Sequence, residues 1–284
     1  LIKGWGPSYP ETTGYIVPTL IAAAGAGLAT DLLDRSRRML DWLVGIQMPC
    51  GGFQGGTVRS TPVVPVTFNT GQILMGLASG TFEFGDSYRE AMQRAGDWLV
   101  ATQDSDGCWR AHDTPFAEPG EKVYETHVGW GLVEAHRLAP DRGYADAALA
   151  NARWAITRQR SNGWFAKCCL TEPDRPLTHT IAYTLRGLLE VYRMTRVDDL
   201  LTSASACAAA LADATRADGF IPGRFDSLWG AAAPWACLTG SAQIVACWLL
   251  LDELRGERRY AEVAARVNAY VRRTIKVDGD ANVR

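Results

Sequence analysis

Three tryptophans set the frame of the chain. Trp42, Trp98 and Trp154 stand 56 positions apart, in the related segments Asp41-Trp42-Leu43-Val44-Gly45-Ile46-Gln47, Asp97-Trp98-Leu99-Val100-Ala101-Thr102-Gln103 and Arg153-Trp154-Ala155-Ile156-Thr157-Arg158-Gln159. A glycine and aromatic turn follows each: Gly51-Gly52-Phe53, Asp106-Gly107-Cys108-Trp109 and Asn162-Gly163-Trp164-Phe165. A fourth turn, Asp218-Gly219-Phe220, follows a segment without the tryptophan. Threonines at 13, 70, 126, 180 and 239 mark a second phase of the same period. Five copies of one unit therefore fill the 284 residues, which restricts the chain to repeat architectures.

Each unit reads as two helices. The first begins near the threonine, as in Thr180-Ile181-Ala182-Tyr183-Thr184-Leu185, and is apolar on most faces, as a helix buried all round is. The second is amphipathic: Tyr88, Ala91, Met92, Ala95, Trp98 and Leu99 share one face, while Arg89, Glu90, Gln93 and Arg94 take the other. No segment alternates at period two. Hairpins of this kind stack into an open solenoid or close into an α/α toroid. Polar outer faces on both helices would mark a solenoid. These first helices are too apolar for that, so the expectation is an all-α, α/α-toroid domain spanning 1–284, with first helices inside and second helices outside. Five hairpins are visible, and a sixth is expected from chain beyond the given ends.

Composition narrows the function. With 29 Lys+Arg against 31 Asp+Glu, the net charge of −2 supplies no basic field for nucleic acid. The longest weakly polar stretch, 15–29, falls short of the roughly 18 apolar residues that a membrane span needs. Seven cysteines without a CxxC pair argue against both a disulfide framework and a zinc ribbon, and favour a reducing, cytoplasmic setting.

The repeated glutamine, glycine and aromatic punctuation resembles that of the prenyltransferase and terpene-cyclase superfamily, whose fold is an α/α toroid. More specific phrases are Trp5-Gly6-Pro7-Ser8-Tyr9-Pro10-Glu11-Thr12-Thr13-Gly14-Tyr15, Leu177-Thr178-His179-Thr180-Ile181-Ala182-Tyr183, Gly223-Arg224-Phe225-Asp226-Ser227 and Cys237-Leu238-Thr239-Gly240. They are similar to bacterial toroid proteins that accompany polysaccharide processing. Terpene cyclisation in the wider superfamily implies an acidic DxDD motif, and protein prenylation implies an Asp, Cys and His zinc set. Neither pattern occurs, so no metal and no cofactor are expected.

The glycine turns and the starts of the first helices lie at one end of such a toroid, and that mouth collects unusual polar residues. Threonine there reads as a helix cap. Glu11, Glu125, His127 and His179 need another account, because ionisable groups clustered at a mouth point to a site. Helix N-termini make the basin electropositive, and Arg224 adds a fork suited to a carboxylate, unless it merely pairs with Asp226. Trp5, Tyr9, Trp130, Trp164 and Trp229 flank the same end and could stack on sugar rings. The expected activity is that of a carbohydrate-active enzyme on an acidic, uronate-containing poly- or oligosaccharide. The chemistry is either proton abstraction by a lyase or epimerase, or glycoside hydrolysis. His179, Tyr183, Glu11 and Glu125 are the catalytic candidates. Tyr9, Asn69, His127, Arg224, Asp226, Trp229 and Gln243 are the binding candidates. The alternatives are an isoprenoid-handling enzyme, with an aromatic pocket poor in ionisable groups, and a noncatalytic glycan-binding protein. Sequence leaves the oligomeric state open.

Overall fold

A computed structural model describes residues 6–275 as ten α-helices in five hairpins, with isolated bridges and no named strand among them. The helices are α1 (Pro10–Gly25), α2 (Leu32–Ile46), α3 (Thr67–Phe84), α4 (Arg89–Ala101), α5 (Thr126–His136), α6 (Tyr144–Ile156), α7 (Thr178–Thr195), α8 (Asp198–Asp213), α9 (Leu238–Arg255) and α10 (Ala261–Thr274). The odd-numbered helices pack successively, α1 on α3, α3 on α5, α5 on α7 and α7 on α9, and each is backed by the even-numbered helix that follows it. This is the α/α toroid, with the apolar helices inside. In α3 every residue from Thr67 to Ala78 is buried, whereas α2 buries Ser36, Leu40 and Leu43 and leaves its arginines in water. The α9–α1 pair lacks the close packing of the other neighbours. The described residues hold five hairpins, so the sixth that sequence anticipates is not among them. No helix among those residues is long and apolar enough to cross a membrane.

Neighbouring units are locked by one repeated device. The Gln103 side-chain amide donates to the carbonyl of Gly107 in its own turn (3.0 Å) and to that of Ala147 on the next outer helix (2.9 Å). Gln47 does the same with Gly51 (2.8 Å) and Ala91 (2.9 Å), and Gln159 with Gly163 (3.1 Å) and Ser203 (2.9 Å). The turn glycines have left-handed backbones, with φ of 100° at Gly51, 91° at Gly107 and 83° at Gly163, and a Cβ there would strike the backbone of the next outer helix. Glycine is thus required twice over. Trp98 and Trp154 are buried and Trp42 packs against the core from a half-buried position, which is the scaffold role that their period implies.

The repeat threonines do not cap. Thr13 and Thr70 sit a turn inside their helices, where their hydroxyls donate back to the carbonyls of Tyr9 (2.9 Å) and Val66 (2.8 Å). The Thr180 hydroxyl lies within reach of two carbonyls, those of Leu177 (2.8 Å) and, across to the preceding loop, Cys168 (2.7 Å), and shares its one proton between them. Except for α5, which starts at Thr126, the inner helices begin earlier than the threonine phase indicates, because the preceding residues, such as Pro10 and Thr67, already take helical geometry. Thr70 instead accepts from the Phe53 amide (2.9 Å), which ties the glycine turn to the inner helix.

Two substitutions test the device. Gln103→Ala removes two hydrogen bonds to backbone carbonyls and is expected to cost about 1–3 kcal/mol. Trp98→Ala, a large core deletion, is expected to cost about 3–5 kcal/mol. Urea unfolding midpoints check both, and unchanged midpoints would contradict the interlock.

Candidate active site

The inner helices start at the mouth, and a cavity of about 230 Å³ opens there. It is walled by Tyr9 and Glu11 from the start of α1, Phe68 and Asn69 from α3, and His179, Thr180 and Tyr183 from α7. Thr114 and Phe116 come from the long loop before α5, Tyr124 from the 3-10 turn Val123–Glu125, and Leu170 from the loop before α7. Residues 170 positions apart are neighbours because the toroid gathers every inner-helix start around one axis.

The electrostatics follow from enclosure. Among the described residues Glu11 has no cationic partner, and desolvation raises its pKa to about 7 against the opposing influence of the neighbouring Tyr9 hydroxyl. Asn69 donates to Glu11 Oε2 at 3.3 Å. His179 is pushed below the ordinary imidazole range by desolvation and by the nearby Arg224 guanidinium. Tyr183 is raised by burial first and by Glu11 second, so it stays a phenol. At neutral pH the cavity therefore holds a partly protonated carboxyl and a neutral imidazole.

Tyr183 also lines a second void of about 40 Å³ deeper in the ring, with Tyr15, His127, Arg186 and Gln243. His127 lies in this lower layer, not at the mouth. It is buried, its Nδ1 is 2.8 Å from Gln72 Oε1, and its ring is 4.6 Å from that of Tyr183. Desolvation and Arg186 bring its pKa down to about 3, so it stays neutral. The Gln243 amide stands beside the Tyr183 hydroxyl, beneath the cavity floor.

Four further candidates stand outside the cavity wall. Glu125 is buried beside Lys122 and Asp113, with Oε2 unpartnered and its pKa well above the carboxylate range because of desolvation. The tight turn gives the cavity-facing position to Tyr124 and turns the next side chain away. Arg224 pairs with Glu172 (3.0 Å) and donates to the Arg175 carbonyl (2.6 Å), rather than pairing with Asp226. Asp226 is used by its own loop, accepting from the amides of Leu228 (2.9 Å) and Gly230 (2.8 Å). Trp229 packs on Phe225 and donates to the Asn162 carbonyl (3.0 Å). Among the proposed stacking aromatics, Trp164 is buried, Trp130 lies under the Arg186 guanidinium within the ring, and Trp5 lies outside the described residues.

The loop residues Thr114 and Phe116 escape a reading based on inner-helix starts. Their loop is held by Lys122, whose buried ammonium bonds to Asp113 (2.6 Å) and to the Gly120 carbonyl (2.9 Å). The signal available in sequence was an aspartate and a lysine flanking a Pro- and Gly-containing stretch.

No protein-family model matches the sequence, and no curated protein matches it. Solved structures do resemble it. An unsaturated glucuronyl hydrolase specific for heparin superposes with a TM-score of 0.73 at 18% identity, over 90% of this chain and 71% of that one. A sugar epimerase from a ruminal bacterium gives 0.76 at 12%, over 96% and 77%. The cellobiose 2-epimerase of Bacillus thermoamylovorans gives 0.67 at 12%, over 87% and 72%. At these identities the likeness establishes the toroid fold.

The raised Glu11 pKa fixes the sign of a pH effect. A carboxyl near 4.5 when unfolded and about 7 when folded binds more protons in the native state between those values. Stability from this group is complete below pH 4.5 and declines as pH rises through about 7. Glu11→Gln is expected to abolish that decline, leaving the variant more stable than the parent at pH 8 by roughly 1–3 kcal/mol. Unfolding midpoints at pH 5 and pH 8 measure it, and parallel shifts in both proteins would contradict the assignment.

Proposed function

We propose that this protein is a carbohydrate-active enzyme that moves protons at a terminal sugar ring of a uronate-containing oligosaccharide. The carrying observation is that a partly protonated carboxyl, Glu11, and a neutral imidazole, His179, wall one cavity that suits a single sugar ring. In this reading His179 takes the C5 proton, made acidic by the adjacent carboxylate. The electrons pass into that carboxylate as an enediolate. Collapse with loss of the C4–O bond, whose oxygen takes the Glu11 proton, gives an unsaturated uronate and a new reducing end. Delivery of the Glu11 proton to the opposite face of C5 gives the epimer instead. Arg224, behind His179 and outside the cavity wall, disfavours imidazolium and so keeps His179 a neutral base before it takes the proton. Tyr9, Phe68, Phe116 and Tyr124 offer ring faces for the sugar.

The ionisable lining weighs against an isoprenoid pocket. Glycoside hydrolysis is the second reading, since Glu11 near pKa 7 is also a competent general acid, and glucuronyl hydrolases share the fold. It lacks a second carboxylate among the described residues of the wall, because Glu125 faces elsewhere.

Incubation with a panel of acidic oligosaccharides tests the proposal, following unsaturated-uronate absorbance, epimer signals by NMR and new reducing ends. Glu11→Gln and His179→Gln are each expected to lower turnover about 10²-fold or more while sugar binding persists. New reducing ends without unsaturation would favour hydrolysis. Unchanged turnover in both variants, or no turnover of any uronate substrate by the parent, would refute the proposal.

A further inference from the structure

The starts of α7 and α9 are pressed together at the mouth. A Cβ on Gly240 would stand 2.6 Å from the His179 amide nitrogen, so glycine there lets the two helices meet. Cys237 is the N-cap of α9, and its sulfur accepts from the Gly240 amide at 3.4 Å. Among the described inner helices, α9 alone starts with a side-chain cap. The same sulfur lies 3.7 Å from His179 Nδ1.

We propose that Cys237 is the positioning residue of His179, its sulfur accepting the Nδ1 proton so that the Nε2 lone pair faces the cavity. The inference rests on the proton-accepting role given to His179 above. An imidazole that accepts a proton at Nε2 carries its own proton on Nδ1, and that N–H needs an acceptor. Arg224 has donors only and spends them on Glu172 and the Arg175 carbonyl. Tyr183 meets the imidazole edge to face, with centroids 5.6 Å apart, and so presents ring rather than hydroxyl geometry. The sulfur is the side-chain atom that the structure brings within reach of Nδ1, and it has lone pairs to accept that proton. It is already oriented as an acceptor by the Gly240 amide, and it sits where the helix start favours electron density. The imidazole is thereby held between a sulfur on one side and a phenol ring on the other.

The tautomer can be read without a substrate. Long-range 1H–15N imidazole spectra of the whole chain, with His179 assigned by its loss in His179→Gln, are expected to show the proton on Nδ1. Cys237→Ser keeps an acceptor and is expected to keep that tautomer. Cys237→Ala is expected to shift it towards Nε2–H. On a turned-over uronate substrate, Cys237→Ala is expected to lower kcat about tenfold with KM within about twofold, and Cys237→Ser to restore most of it. An Nε2–H tautomer in the parent overturns the proposal, as does a Cys237→Ala protein with unchanged tautomer and kcat. If Cys237→Ala fails to fold, the parent and serine spectra decide. Because the spectra need no turnover, failure of the enzymatic reading and failure of the Cys237 role are separate results.

Discussion

The bond between each outer-helix glutamine and the next outer helix is the constraint on which the architecture depends. Gln47, Gln103 and Gln159 each hold two carbonyls, one in the unit's own glycine turn and one on the following unit. One amide thus sets both the turn and the inter-unit register, which is why the glutamine repeats with the tryptophan. The fourth unit has Thr215 in the glutamine's place, and its hydroxyl bonds back into its own helix. There Arg273 from α10 donates to the Asp218 carbonyl (2.9 Å) and supplies the missing tie. The glycine turn keeps its 56-residue spacing there, from Gly163 to Gly219, although the glutamine is lost.

Inside the ring, small residues decide how much space remains. A Cβ on Gly76 would meet the backbone of Gly14, one on Gly131 would meet Gly71, and one on Gly187 would meet Thr126. Inner helices that approach so closely leave little room along the axis, and the central void shrinks to about 40 Å³ beneath Tyr183. Space for a ligand opens above Tyr183, where the loops rather than the helices make the wall. A larger cavity of about 410 Å³ lies at the opposite end, between α1, α3 and α5, but its Glu134 is tied to Arg193 (3.3 Å) and Trp130 (3.2 Å). The mouth is where unpaired acid and base coincide.

The fold was legible because its determinants are periodic: Trp98, Gln103 and Gly107 recur at one spacing and do one job each. The cavity was partly legible, since Glu11, Asn69, His179 and Tyr183 sit at inner-helix starts and topology alone gathers them. What sequence could not resolve was orientation within a turn. Glu125 and Tyr124 are adjacent, and the 3-10 geometry of Val123–Glu125 gives the wall to the tyrosine. His127 occupies its helix one layer below the mouth, where Gln72 claims it. Arg224 takes Glu172, a partner 52 positions away, over the nearby Asp226. Phe116 enters from a loop without repeat phase, so periodicity was silent about it.

Charge in the cavity ties these features to the kind of ligand it can take. An ionised carboxylate at Glu11 would repel an anionic sugar at short range, and low local dielectric would magnify the repulsion. Burial without a cation keeps Glu11 substantially protonated near neutral pH, so that repulsion is reduced while a proton stays available. An arginine salt-bridged to Glu11 would have drawn its pKa down and left an acceptor-only wall. The positive charge sits instead on Arg224, behind the imidazole, where it disfavours imidazolium and keeps His179 able to accept. With no arginine paired to Glu11 among the described residues, the carboxyl stays partly protonated and the imidazole neutral, so in the proposed reaction the space between them stays close to neutral until an acidic sugar brings its own charge.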